Sequence, residues 1–151
     1  FTGLFLDTLD DADLLESEDA VRYRGMRQAA VSLVRAIRQR YPGIVLMVNR
    51  GYALMPEIAG SIDILLGESV LASFNSSTKA YTRVSPADVQ WQVDALRRAR
   101  TLNPSLQVLT LDYWHPSDRN GIRRIYRDQR ARGFIPHVAT PTLDVVIPEP
   151  R

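Results

Sequence analysis

The sequence predicts an α/β fold with parallel strands. Five short apolar runs recur along its 151 residues: Gly3–Leu6, Ile44–Val48, Ile62–Leu66, Leu106–Leu111 and Phe134–Val138. Each is rich in Val, Ile and Leu without clean alternation, as strands covered on both faces are. Helical periodicity separates several of them, and that order belongs to a parallel sheet. Five strands are too few to close an eight-stranded barrel.

The elements follow in order. The first run ends in Asp7 and leads into Asp10, Asp11, Asp13, Glu16, Glu18 and Asp19. Between Asp19 and Arg40, Val21, Met26, Ala29, Ala30, Leu33, Val34 and Ile37 recur at helical spacing opposite an arginine face. That predicts one amphipathic helix, closed by Pro42-Gly43. A short helix over about Met55–Ala59 joins the second and third strands, and a loop follows the third. Ser85, Pro86 and Asp88 start a helix running to about Arg100, as N-cap, first-turn proline and first-turn acid. The last helix covers roughly Asp118–Arg132 and stops at Gly133, a terminating glycine. The proline-rich end of the chain, from Pro141 and in particular residues 145–151, reads as an exit linker after a domain spanning 1–144.

Composition narrows the function classes. A hydrophobic content of 45% argues for a folded domain. Residues 1–21 carry seven acids and no base, while the rest hold 19 bases against 10 acids. All bases but Lys79 are arginine, a bias read as solvated helix faces rather than a nucleic-acid surface. The absence of cysteine removes disulfides, thiolate metal sites and a Cys nucleophile. No apolar stretch approaches the ~20 residues that span a bilayer.

Chemistry concentrates where strands end. The five tips offer Asp7 and Asp10, then Asn49 and Arg50, then Glu68, then Asp112, Tyr113, Trp114 and His115, then His137 and Thr140. In α/β barrels such tips converge on one face. Asp7 and Glu68 stand out because both directly follow an apolar run, in LFLD and ILLGE. Paired carboxylates that divide into an acid and an ionised partner are the minimum equipment for glycoside hydrolysis. Tyr113 and Trp114 are candidates for a sugar-stacking platform, although aromatics at a strand end are as often core. No cofactor or metal is expected: there is no glycine-rich phosphate loop, no GxSxG, and His115 and His137 lack zinc-ligand spacing.

The series FTGLFLDTLD, VLMVNRGY, IDILLGESV, VLTLDYW and GFIPHVATPTLD resembles glycoside hydrolase family 114, the α-1,4-polygalactosaminidases. The resemblance is strongest to the hydrolase region of bifunctional hydrolase–deacetylase proteins of Pel exopolysaccharide systems, whose ATPxLD ending is matched by residues 139–144. It spans almost the whole chain, in family order and spacing. It implies the C-terminal part, strands four to eight, of a (β/α)8 TIM-type barrel, with strands one to three upstream. It also implies Asp7 as nucleophile and Glu68 as general acid/base of a retaining mechanism. Asn49, Asp112 and Tyr113 would line sugar subsites, and Asp10 with its neighbouring acids would draw in a cationic amino-sugar polysaccharide. A polysaccharide deacetylase domain in the same protein and a periplasmic or extracellular location follow from the same likeness. The rival reading is a non-catalytic carbohydrate-binding or exopolysaccharide-assembly module on the same barrel.

Overall fold

The computed structural model describes residues 1–150. Among the described residues seven strands and five α-helices follow one another: β1 (Gly3–Leu6), α1 (Asp10–Glu18), α2 (Met26–Arg40), β2 (Val45–Asn49), α3 (Met55–Ile58), β3 (Ile64–Glu68), β4 (Ala72–Asn75), β5 (Ala80–Arg83), α4 (Pro86–Leu102), β6 (Gln107–Tyr113), α5 (Arg119–Ala131) and β7 (Ile135–Ala139). Five strands form a sheet in the order β1-β2-β3-β6-β7. The β1–β2, β2–β3 and β6–β7 pairs are parallel, with Leu6 opposite Val48, Asn49 opposite Leu66, and Tyr113 opposite Ala139. The predicted α/β fold with a parallel sheet is therefore present.

Three expectations need correction. The segment read as a loop after the third strand contains an antiparallel hairpin, β4–β5, so the strands are not all parallel. The helix expected over Asp19–Arg40 is instead two helices. Asp19 turns the chain by accepting the backbone N–H groups of Val21 and Arg22, and Gly25, at φ 83°, redirects it into α2. Val21, assigned to the apolar face, is 84% exposed. Strands β2, β3, β6 and β7 each end one or two residues later than the apolar runs, so Asn49, Glu68, Asp112 and Tyr113 lie within strands rather than after them.

The chain divides into two compact units. The first comprises Phe1–Leu66 and Ala95–Gln107. Its core gathers Val31, Val34, Leu46, Val48, Leu54, Ile58, Leu65 and Leu96, all essentially without solvent contact. Each such side chain contributes about 1.5–3 kcal/mol over an exposed position. The acidic first turn of α1, from Asp10, Asp11 and Asp13, compensates the positive end of the helix dipole in the absence of a side-chain cap.

The second unit comprises Gly67–Asp94 and the chain from Val108 onward. Its core is Leu71, Ala72, Ile122, Ile125, Tyr126, Val138 and Ile147, with Val89 and Trp114 packed against it. Ser85 opens α4 as expected, accepting the Asp88 N–H and donating to the Asp88 carboxylate at 2.7 Å. Asp118 caps α5 through the Gly121 N–H, and Gly133, at φ 81°, ends it. Residues 145–150 carry no helix or strand, yet Ile147 is buried in this core and Glu149 pairs with Arg130.

Candidate active site

In the first unit, Asp7 follows β1 directly and is exposed. Its Oδ1 accepts two hydrogen bonds of 2.9 Å, from Asn49 Nδ2 and from the Thr8 backbone N–H. Asn49 ends β2 and is buried, 7% exposed, so the adjacent parallel strand holds the carboxylate in place. Asp10, in the first turn of α1, lies 4.0 Å from Arg50. The other acids of the opening segment divide by task. Asp13 pairs with Arg27, and Glu16 accepts the N–H groups of Gly25 and Arg27, which hold its carboxyl below the usual range. With Asp19 turning the chain, these three acids serve the α1–α2 connection. Asp7, Asp10 and Asp11 take no part in that connection.

In the second unit, Glu68 is the last residue of β3 and is half-buried. The Tyr113 hydroxyl donates to its Oε1 at 2.5 Å from the end of β6. Asp112, expected to line a sugar subsite, is placed otherwise. It is fully buried: Oδ1 accepts the N–H groups of Leu71 and Ala72, and Oδ2 accepts Gln129 Nε2 at 2.7 Å. Burial pushes its carboxyl above the ordinary aspartate range, against the hydrogen bonds from Gln129, Leu71 and Ala72 and the charge of Arg83. Alternation explains the placement: Val108, Thr110 and Asp112 share the buried face of β6, while Tyr113 points the other way.

Trp114, expected in a sugar-stacking platform, is partly buried against the second core. The Arg83 guanidinium sits 4.4 Å from its ring centroid, Tyr81 stands 6.4 Å away, and its indole N–H donates to Asp118. Gly121 completes that arrangement, since a Cβ there would collide with the Trp114 indole nitrogen and the Asp118 carboxylate. The indole N–H, followed by the Gly121 N–H, holds the Asp118 carboxyl below its usual range.

One backbone feature links three of the expected residues. Thr8, Arg50 and Ser69 immediately follow Asp7, Asn49 and Glu68, and all three adopt left-handed conformations, at φ 58°, 52° and 54°. Non-glycine residues rarely do so, and a β-branched threonine least of all. The turns are anchored rather than loose: Arg50 N–H donates to Leu66 C=O at 2.8 Å, and Ser69 N–H to Leu111 C=O at 2.7 Å. Among the described residues, no group of three or more His, Asp or Glu side chains is arranged to hold a metal ion. No helix among them is long and apolar enough to cross a membrane.

Two residues not singled out in the sequence, Gln92 and Gln129, support the turn after Glu68, the first through Ser69 C=O and the second through Asp112. Gln129 was detectable in principle, because it falls in the helical phase of Ile122, Ile125 and Tyr126, where a polar residue is bound to be buried.

Comparison with solved structures gives a likeness over 99% of the chain. The glycoside hydrolase domain of PelA from Pseudomonas aeruginosa matches with a TM-score of 0.85 and 31% sequence identity. The chain is similar to this glycoside hydrolase domain. A variant of the PelA domain in which one glutamate is replaced by alanine matches at a TM-score of 0.82, with the same identity and coverage. The chain spans 57% of the length of each PelA structure. No family profile matches the chain, and no curated protein matches it significantly.

Proposed function

We propose that this chain belongs to a glycoside hydrolase that cleaves an α-1,4-linked galactosamine/N-acetylgalactosamine exopolysaccharide with two carboxylates, Asp7 and Glu68. The observation that carries the reading is the similarity to the PelA hydrolase domain over 99% of the chain, together with the equipment around each acid. Asp7 is exposed and held by Asn49, as an ionised nucleophile needs to be. Glu68 is half-buried and fixed by a phenol, as a proton donor to the leaving oxygen needs to be. In the first step Asp7 attacks the anomeric carbon as Glu68 protonates the departing sugar oxygen. In the second, Glu68 takes a proton from water, which displaces Asp7 and restores both groups.

The same reading makes the sheet strands four to eight of a (β/α)8 barrel. The end strands of the observed order, β1 and β7, carry exposed Phe5 and Ile135, which suits edges that further strands cover. The exposed acids Asp7 and Asp11, with the partly exposed Asp10, suit a polymer bearing free amines, an attraction that salt screens over about 8 Å at physiological ionic strength. A polymer of this kind implies a location outside the cytoplasm and a deacetylating activity that supplies the amines.

The test is the stereochemistry of the first product. Incubation of the full-length protein with partly deacetylated α-1,4-polygalactosamine, followed by proton NMR, is expected to give the α-anomer first. First release of the β-anomer overturns the nucleophilic role of Asp7. Unchanged polymer length alongside measurable binding favours the binding module.

A further inference from the structure

The turn that follows Glu68 is fastened at four backbone groups. Ser69 N–H donates to Leu111 C=O, and Ser69 C=O accepts Gln92 Nε2 at 2.9 Å. Leu71 and Ala72 both donate their N–H groups to Asp112 Oδ1, at 2.6 and 2.9 Å. Val70 between them is completely buried. Behind the turn, Gln129 on α5 is also completely buried and uses its amide nitrogen to hold Asp112 Oδ2. Strand β6 thus reaches Glu68 twice: Tyr113 touches its side chain, and Asp112 holds the backbone that leaves it.

This arrangement is a poor choice for stability alone. Enclosing a carboxylate loses its hydration, and apolar side chains of similar volume often serve a core as well or better. Gln129 also leaves its carbonyl oxygen buried without a hydrogen-bond partner. What Asp112 supplies, and an apolar residue does not, is an acceptor at a fixed point for two adjacent N–H groups. Ser69 is held in a left-handed conformation that a looser turn would relax. Relaxation there would rotate the direction in which Glu68 leaves β3.

We propose that Asp112 and Gln129 are positioning residues for Glu68, fixing its carboxyl through the Ser69–Ala72 turn without touching the sugar. This rests on Glu68 acting in catalysis, as proposed above. Misplacement of a reacting group by about 1 Å costs on the order of 10²-fold in rate. Loss of the strut therefore lowers kcat and leaves KM nearly unchanged.

The test compares Asp112→Val, Asp112→Asn, Gln129→Leu, Thr110→Val and Glu68→Gln in the full-length protein, reading kcat and KM on the polymer and folding by circular dichroism. Asp112→Asn keeps the oxygen that accepts Leu71 and Ala72, and its new amide finds the unpartnered Gln129 oxygen after a half-turn of that side chain. It is expected to retain most of kcat. Asp112→Val is expected to lose roughly 10- to 100-fold in kcat with KM within about two-fold. Gln129→Leu falls between them. Thr110→Val removes another buried, unpartnered hydroxyl from β6 and leaves both constants unchanged. Wild-type kcat in folded Asp112→Val, or equal losses in the Asn and Val variants, overturns the proposal. Should Asp112→Val fail to fold, unchanged kcat in Gln129→Leu overturns it instead. Full activity in Glu68→Gln sinks the catalytic reading itself, which separates the two failures.

Discussion

The Tyr113 hydroxyl donates to Glu68 Oε1 at 2.5 Å and so ties the last residue of β6 to the last residue of β3. The bond selects one orientation of a half-buried carboxyl. Hydrogen bonds to charged groups contribute about 1.5–3 kcal/mol, so Tyr113→Phe is expected to lower kcat by roughly 10- to 100-fold with the fold intact. Steady-state kinetics alongside circular dichroism check this. A phenylalanine variant with wild-type turnover would mean that the phenol only fills space.

Asn49 does for Asp7 what Tyr113 does for Glu68. Removing its amide in Asn49→Ala takes away one of the two hydrogen bonds to Asp7 Oδ1 and keeps that from the Thr8 N–H. Turnover is expected to fall about ten-fold, the equivalent of one net hydrogen bond of about 1.4 kcal/mol. Asn49→Asp sets a like charge beside Asp7 and is expected to fall further. Equal rates for the two variants would contradict the electrostatic part of this account.

Ser69 carries strain that glycine lacks. Its φ of 54° is costly for a residue with a Cβ and free for glycine, whose unfolded chain in turn loses more entropy on folding. The balance predicts that Ser69→Gly raises stability by about 0.5–1 kcal/mol, or about 1–4 °C in Tm. Turnover is expected to fall, because the strained turn aims Glu68. Thermal unfolding and kcat measured on the same preparation test both halves, and a variant that is less stable contradicts the strain argument.

Asp112 gives the protein a distinctive acid response. Its carboxyl titrates above the ordinary aspartate range because it is buried, so the folded chain binds this proton more tightly than the unfolded chain does. Stability from this group therefore rises as pH falls through the raised value, and the gain is complete below the unfolded value of roughly 3.9. Asp112→Asn abolishes the titration. The wild type should gain stability relative to the variant as pH drops across that window, with a constant difference above it. Denaturant midpoints for both proteins over a pH series measure the gap, and a gap that moves the other way contradicts the assignment.

The sheet was legible because each of its strands coincides with a short, mostly apolar run, and the run needs no knowledge of its neighbours. Strand ends were less so. Reading stopped at the first polar residue, whereas the ladders continue through Asn49, Glu68 and Tyr113. The β4–β5 hairpin escaped notice because ASFN and AYTR carry few large apolar residues and the intervening turn lacks glycine. Its turn is made instead by Asn75, whose side chain accepts the N–H groups of Ser77 and Thr78. At the candidate site, residue type alone located Asp7, Asn49, Glu68 and Tyr113 at strand tips. It misjudged Asp112, because in VLTLD the leucines fall on one phase and Thr110 and Asp112 on the other, yet it is the polar phase that is enclosed.

The central claim is that Glu68 transfers the proton that releases the sugar. The most direct measurement is the initial rate at which the full-length protein and its Glu68→Gln variant generate reducing ends from partly deacetylated α-1,4-polygalactosamine, with circular dichroism confirming an unchanged fold. Loss of a general acid predicts a fall of about 10²- to 10⁴-fold. A folded Glu68→Gln protein that cleaves the polymer at the wild-type rate would contradict the account.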